Sequence, residues 1–114
     1  MALIFKILAA EEWRAAAAAG VFVGSAVDRR DGYIHFSSVA RAPETAAKWF
    51  AGRNDLVLVA VEADALGPAL RWEPSRGGAL FPHLYGALPL AAVAWTRSLP
   101  LKADGRHDFG ELAC

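Results

Sequence analysis

The stretch Asp55-Leu56-Val57-Leu58-Val59-Ala60-Val61-Glu62 gives the clearest strand signal in the chain. Its near-continuous apolar character is typical of a central strand that is covered on both faces. Ala2 to Leu8 predicts a buried opening strand, and Ala92 to Ser98 predicts a last strand near the end of the chain. These segments supply the apolar surface around which we expect the rest of the chain to fold.

Two helices are predicted between the opening strand and the central strand. Glu11 begins the first, which continues through an alanine run and ends at Gly20. The second begins at Ala42 and ends at Gly52, with Ala46, Trp49 and Phe50 on one face.

The segment between these helices combines a turn with a short polar strand. Residues 26–32 are typical of a polar turn, and residues 33–37 predict a strand. Alternation along that strand places Tyr33, His35 and Ser37 on one face. Asp28 and Asp31 come just before it. The polar side chains of this stretch are therefore candidates for a site shared with the run from Trp72 to Gly86.

Size and composition restrict the class of protein. With 114 residues the chain predicts one domain, which we place at residues 1–101, followed by a polar tail at residues 102–114 in which we expect His107 to be solvated. Basic and acidic residues both number 12, which argues against a DNA partner. No apolar run approaches the roughly 18 residues of a membrane span. The single cysteine, Cys114, allows no intramolecular disulfide, and we expect a cytoplasmic protein without a membrane partner.

The run from Trp72 to Gly86 concentrates functional groups among glycines and prolines, which predicts a loop that carries binding or chemistry. Within it, Ser75-Arg76-Gly77-Gly78 has the residue types of an anion cradle, with glycine amides and a guanidinium, although it is not a Walker motif. The alternative is that Arg76 pairs with Glu73 and holds the loop in place.

The other candidate side chains each have a functional and a structural interpretation. His35 and His83 are either functional groups or hydrogen-bonded structural residues, and their spacing does not support a metal site with Glu73. Tyr85 and Trp72 either stack on the ring of a ligand or contribute to the core. Lys6 either reaches solvent from the opening strand or places its ammonium in a pocket.

The chain resembles a small bacterial family known as a domain of unknown function, number nine-five-two, over nearly its whole length. The segments that carry the resemblance are residues 4–7, the helix with Trp13, residues 32–37, residues 55–58, residues 72–78 and residues 81–86.

This resemblance implies a fold similar to that of ADP-ribosyltransferases. Such a fold is a single small α+β domain in which a bent, split, mixed β-sheet and two main helices surround an NAD cleft. Lys6 falls where the first strand of those enzymes offers a basic group to the nucleotide, and residues 32–37 look like the strand that shapes the nicotinamide pocket. The chain departs from the pattern in its last strand, residues 92–98, which holds no glutamate.

We therefore expect a site for an NAD-like, phosphate-bearing nucleotide, with ADP-ribosyl-type transfer as the reaction. NAD would be a substrate, and no metal or other cofactor is predicted. The catalytic candidates are Glu73, His35 and His83. The ligand-binding candidates are Lys6, Ser37, Trp72, Ser75, Arg76, Gly77, Gly78 and Tyr85. The alternatives are a non-catalytic module for a small anion or a protein, and a loop that only closes the fold.

Overall fold

The computed structural model describes residues 2–112, apart from the side chain of Arg76. Over this part of the chain the strands are β1 (Leu3–Ala9), β2 (Val21–Phe22), β3 (Ile34–His35), β4 (Leu56–Glu62), β5 (Leu70–Pro74), β6 (Leu80–Leu84), β7 (Leu88–Pro89) and β8 (Val93–Ser98). The α-helices are α1 (Ala10–Ala19), α2 (Ala26–Asp31) and α3 (Ala42–Trp49). Short 3-10 segments span Ala63–Ala69, Arg76–Gly78 and Leu90–Ala92.

Strand β4 is the centre of the fold, as its sequence predicts. It lies between β1 and β8 in a three-stranded antiparallel sheet. Its alternate side chains enter two separate apolar clusters: Val57, Val59 and Val61 belong to one, and Leu56, Leu58 and Ala60 to the other. A strand with both faces buried needs apolar residues at every position, which is why its sequence does not alternate.

Helices α1 and α3 correspond to the two predicted helices. Helix α1 ends at Gly20, whose φ of +83° is the left-handed conformation that glycine adopts most easily. Helix α3 buries Ala42 and Ala46, whereas Trp49 is 63% exposed. Ala46 and Trp49, which the sequence places on one face, therefore differ in burial.

Helix α2 corrects the prediction of a polar turn over residues 26–32. The Ser25 side chain accepts from the backbone N–H of Asp28, and the Asp28 carboxylate accepts from the backbone N–H of Ser25. This reciprocal capping box satisfies donors that a short helix would otherwise leave free. A six-residue helix is too short to show an apolar period, so its cap is the main sequence signal.

The predicted loop over residues 72–86 is mainly a hairpin, which is a second correction. Strands β5 and β6 pair antiparallel, and the turn between them contains Gly77 and Gly78, both with positive φ. Pro82 lies inside β6, where its carbonyl still accepts from the Phe36 amide at 3.0 Å. The glycines therefore build a tight turn, and the prolines do not prevent strand pairing.

The strand pairing is antiparallel throughout residues 2–112, so the expected mixed sheet is wrong. The strands form three small sheets, with orders β1-β4-β8, β2-β7 and β3-β6-β5. Phe5 and Ser37 form an isolated bridge between the first and third sheets, with both N–H···O distances at 2.8 Å. The result is a small α+β fold with a divided sheet.

Residues 101–112 return to the body of the fold. Leu101 bridges to His107, and His107 Nε2 lies 2.7 Å from the Arg53 carbonyl oxygen. His107 is only 7% exposed, so the expectation of a solvated residue is wrong. Phe109 and Leu112 pack against the cluster under α3. The division at residue 101 stays a prediction, and Cys114 lies outside the described residues.

Candidate functional site

A cleft of about 480 Å³ lies where the first and third sheets meet. Its apolar lining comes from Phe5, Ile7, Val27, Phe36, Trp49, Phe50 and Phe81, and its polar lining from Lys6, Arg30, Asp31, His35, Ser37, Thr45, Ser75 and His83. Another cavity, of about 590 Å³ between α3 and residues 102–109, is lined by none of the predicted site residues. The cleft between the sheets is therefore the candidate site.

Lys6 reaches this cleft from β1, but its charge is already paired. Its Nζ lies 3.0 Å from Oδ1 and 2.9 Å from Oδ2 of Asp28, and the two side chains are 8% and 1% exposed. A buried ammonium requires such a partner because losing its hydration is costly. Lys6 thus fixes Asp28 and offers little free charge to an anionic ligand.

Asp28 accepts hydrogen bonds from three residues. Besides Lys6, these donors are the Ser25 amide at 2.9 Å and His35, through its amide at 3.1 Å and its Nδ1 at 2.6 Å. Burial alone would raise the pKa of Asp28, but the hydrogen bond from His35 and the charge of Lys6 outweigh it and lower the pKa well below its usual range. The carboxylate stays ionised and fixes the orientation of the His35 ring.

The second nitrogen of His35 faces another carboxylate. Nε2 lies 3.0 Å from Oδ2 of Asp31, and Oδ1 of Asp31 accepts from Arg30 Nε at 3.0 Å. The hydrogen bond and charge of Arg30 lower the pKa of Asp31 against the smaller opposing effect of desolvation. The His35 ring therefore contacts the buried Asp28 through Nδ1 and the more accessible Asp31 through Nε2.

His83 has one ring nitrogen held by a carboxylate. Its Nδ1 lies 2.8 Å from Oε1 of Glu73, which also accepts from the Tyr85 hydroxyl at 2.7 Å. The hydrogen bond from Tyr85, followed by that from His83, lowers the pKa of Glu73. An ionised carboxylate only accepts, so Nδ1 carries a proton, and in the neutral ring Nε2 is the basic nitrogen.

A cluster of rings surrounds this pair. Tyr33 stacks on His83 with ring centroids 4.2 Å apart, and it also contacts His35 at 4.7 Å and Tyr85 at 5.2 Å. The centroids of His35 and His83 are 5.6 Å apart. The two imidazoles therefore lie side by side in one wall, close enough to act on a single small ligand.

The pairing of β5 with β6 explains which side chains meet. Arg71 lies opposite His83, and Glu73 lies opposite Phe81, so these four positions share one face of the hairpin. Trp72 lies on the other face, opposite Pro82, and is 46% exposed. Because side chains alternate along a strand, Glu73 faces His83 while its neighbour Trp72 faces the other way.

The structure brings most of the predicted site residues together. Lys6, His35, Ser37, Ser75 and His83 line the cleft, Glu73 contacts His83 Nδ1, and the Tyr85 hydroxyl donates to Glu73. Trp72, Gly77 and Gly78 do not line the cleft as described. The side chain of Arg76 lies outside the described residues.

The hairpin turn accounts for the glycines in another way. The Gly78 amide donates to the Ser75 carbonyl at 3.0 Å, and the Ser75 amide donates to the Ala79 carbonyl at 2.9 Å. The Gly78 N–H is thereby used within the turn, which weakens the expectation of an anion cradle at this position.

Sequence reasoning missed the contribution of α3. Thr45 and Trp49 both line the cleft, and the Thr45 hydroxyl lies 2.8 Å from the Ser37 hydroxyl. Trp49 is the last residue of α3. Recognising it as a cleft residue from the sequence would have required knowing where that helix ends. The stretch with Asp28 and Asp31 was singled out, but the ion pair of Lys6 with Asp28 was not foreseen.

The described residues were also searched for a metal site and for a membrane-spanning helix. Within residues 2–112, no three His, Cys, Asp or Glu side chains converge in a way that could hold a metal ion. None of the helices described has the length and apolar character required to cross a membrane.

The chain was compared with known proteins. The family described as "Protein of unknown function (DUF952)" matches residues 7–96. The crystal structure of protein CC0527 from Caulobacter crescentus is 57% identical, covers 93% of each chain and has a TM-score of 0.89. A double mutant of that protein is 55% identical over 93% of each chain, also with a TM-score of 0.89. Its solution NMR structure is 57% identical over 93% of this chain and 91% of that chain, with a TM-score of 0.84.

No curated protein matches the chain. The family match covers most of the sequence, and the solved structures from Caulobacter crescentus share its fold at high identity. The chain therefore belongs to the family of proteins of unknown function DUF952, as its motifs predicted.

Proposed function

We propose that the cleft binds an NAD-like, phosphate-bearing nucleotide and that the protein uses it in ADP-ribosyl-type transfer. The observation that carries the proposal is His83, which lines the cleft while Glu73 holds its Nδ1 at 2.8 Å. A carboxylate–imidazole pair of this kind is the arrangement that enzymes use for a general base.

The lining of the cleft supports binding of a molecule that is part ring and part sugar. The exposed Trp49 offers a flat apolar surface for a base or nicotinamide ring, and the buried Phe36 and Phe81 add apolar lining to the cleft. Ser37 provides a hydroxyl group suited to hydrogen bonding with a ribose hydroxyl. A mostly apolar cleft with a few placed polar groups is typical of a small-molecule site.

His83 is proposed to accept the proton of the attacking group. A hydroxyl of the acceptor, or water, would transfer its proton to Nε2 as its oxygen forms a bond to the anomeric carbon of the ribose. The bond between that carbon and nicotinamide would break, and its electron pair would leave with the nicotinamide nitrogen. Glu73 then acts through His83 by orienting the ring and balancing its positive charge, and does not face the sugar itself.

This assignment modifies two roles expected from the sequence. Glu73 becomes a positioning residue, since its Oε1 is occupied by His83 and Tyr85. Lys6 becomes a support for Asp28 and no longer a phosphate ligand. The likeness to ADP-ribosyltransferases remains an inference from the resemblance of sequence motifs, and it supplies the reaction class that we test.

A non-catalytic module is the second candidate. Trp49 and Val27, which are 63% and 44% exposed, line the cleft and would suit contact with a protein side chain as well as with a base. A module of this kind would bind without consuming its ligand.

A two-dimensional amide NMR titration with NAD, ADP-ribose and inorganic phosphate tests binding. We expect shifts at residues 33–37 and 81–85 with NAD and ADP-ribose. Absence of shifts at millimolar nucleotide would refute the proposed site.

Turnover is tested by measuring nicotinamide release from NAD by wild type, His83→Gln and Glu73→Gln. We expect release to fall roughly 100-fold or more in His83→Gln, the range associated with loss of a general base. Nucleotide affinity should change little. Trp72→Ala, which removes a side chain on the opposite face of the hairpin and outside the lining of the cleft, is the matched control and should retain most of the activity. Binding without release in the wild type would favour the module.

A further inference from the structure

Arg30, Asp31 and His35 form a three-residue arrangement at the wall of the cleft. The Asp31 carboxylate accepts from Arg30 Nε through Oδ1 at 3.0 Å, and its Oδ2 lies 3.0 Å from His35 Nε2, which donates to it when the imidazole is protonated at both nitrogens. All three residues line the cleft. A guanidinium and an imidazole from different parts of the chain thus converge on one carboxylate within reach of any ligand bound there.

We propose that Asp31 occupies the position of a ligand phosphate, and that Arg30 and His35 form the phosphate subsite when the Asp31 side chain turns away. The inference rests on the proposed nucleotide function and names the residues that would recognise its phosphate. A carboxylate and a phosphate accept from the same donors, but a phosphate offers more oxygens and more charge.

His35 keeps its position without Asp31. Its Nδ1 and its backbone amide are both held by Asp28, at 2.6 and 3.1 Å, and Asp28 is in turn fixed by Lys6. Nε2 is therefore directed independently of the residue that meets it, as a built binding group requires.

Asp31 and Arg30 can move at small cost. Their side chains are 30% and 73% exposed, and an ion pair at such a surface is weak because water competes for both partners. Asp31 is the last residue of α2, and Gly32 follows with a φ of +88°. Rotation of the Asp31 side chain toward solvent would break two hydrogen bonds and disturb no buried apolar contact of the core.

Lys6 and Asp28 explain why the phosphate would bind at this point and not deeper. The ammonium of Lys6 is neutralised by Asp28 behind the histidine. Among the described side chains that line the cleft, the accessible positive charge at this end is therefore that of Arg30, joined by His35 when its imidazole is protonated, and Asp31 now occupies both.

The test is whether removing the Asp31 carboxylate strengthens or weakens the binding of a phosphate-bearing ligand. We measure the Kd of ADP-ribose and of inorganic phosphate for wild type and Asp31→Ala. Removal of the competing carboxylate should tighten both by roughly two- to fivefold, the range expected when an exposed ion pair no longer competes. In Asp31→Ala/Arg30→Gln most of that gain should disappear.

Asp55→Ala is the matched control. Asp55 forms a similar exposed pair with Arg53, at 3.1 and 2.9 Å, but neither residue lines the cleft. The substitution changes the net charge by the same amount and frees an arginine elsewhere, so it should leave both Kd values nearly unchanged.

Weaker or unchanged binding by Asp31→Ala would overturn the phosphate subsite, and so would an equal gain in Asp55→Ala, which would indicate a general charge effect. Wild-type binding of ADP-ribose in the cleft, combined with one of these results, would leave the nucleotide function standing. Failure of wild type and Asp31→Ala to bind ADP-ribose or phosphate would overturn both proposals.

Discussion

Lys6 and Asp28 form a bidentate ion pair that closes the back of the cleft, with Nζ within 3.0 Å of both carboxylate oxygens. The pair joins strand β1 to helix α2, although the residues are 22 positions apart. It therefore couples the stability of the fold to the orientation of His35, because the same carboxylate holds the imidazole.

Breaking this pair from one side should be costly. Lys6→Met leaves the Asp28 charge buried with fewer partners, and we expect a loss of about 3–5 kcal/mol in the free energy of unfolding. The double variant Lys6→Met/Asp28→Asn should lose less than the two single variants combined, because it removes both charges. Urea denaturation of the four proteins measures the coupling; strictly additive losses would contradict it.

The stability of the protein should fall at acid pH through Asp28. Its pKa is lower in the folded protein than in the unfolded chain, where it is about 3.9. The carboxylate therefore contributes its full stabilisation above about pH 4, and this contribution is lost as the pH falls toward the folded-state pKa. Urea midpoints between pH 7 and pH 2.5 should show the decline.

The control for this pH dependence is a pair of substitutions. Asp28→Asn should flatten the acid decline, whereas Glu111→Gln, which removes an exposed carboxyl group, should leave it nearly unchanged. If Asp28→Asn does not fold, Glu73→Gln provides a second test, because the pKa of Glu73 is also lowered. If the urea midpoint of Asp28→Asn fell with pH as steeply as that of the wild type, Asp28 would not be the source of the acid decline.

Gly24 should tolerate no side chain. It has a φ of +108°, and an added Cβ would lie 2.9 Å from the Cβ of Asp28. We expect Gly24→Ala to lower the free energy of unfolding by about 2 kcal/mol or more, through backbone strain and the displacement of Asp28. Gly20→Ala has a similar positive φ but open space around the new methyl group, so it should cost only about 1 kcal/mol. Equal costs would show that the contact with Asp28 is unimportant.

Trp49 should bind a nucleotide ring, and Trp72 should not. Trp49 lines the cleft, whereas Trp72 lies on the opposite face of the hairpin from Glu73. Trp49→Ala should weaken ADP-ribose binding by about 1–3 kcal/mol, the range found for stacking of a base on an aromatic ring. The matched variant Trp72→Ala removes an equally large exposed side chain and should keep the wild-type Kd. Loss of affinity in Trp72→Ala alone would reverse the assignment.

The elements with a strong local signal were predictable from the sequence. Strand β4 is apolar at nearly every position, and α1 combines an alanine run with a glycine stop, so neither depends on tertiary contacts to be recognised. Helix α2 was missed because it is stabilised by one cap and by the partners of Asp28, which come from distant parts of the chain.

The site was predictable in its residue types and not in its connections. His35, His83 and Glu73 were recognisable as candidates, but the pairing of β5 with β6 decides that Glu73 reaches His83 and that Trp72 does not. The glycines of the hairpin have two interpretations from sequence, because a tight turn and an anion cradle need the same backbone freedom; the structure shows the turn, and the anion cradle stays a prediction. Register and turn type are tertiary properties, and sequence alone left them open.

The bridge between Phe5 and Ser37 determines more than the connection of two sheets. Lys6 and Ile7 follow that pair on one strand and Phe36 precedes it on the other, and all three line the cleft. The two hydrogen bonds of the bridge are made by backbone groups of both residues. A substitution at Phe5 or Ser37 that any strand can accept therefore changes the wall of the cleft and leaves in place the bonds that join the two sheets.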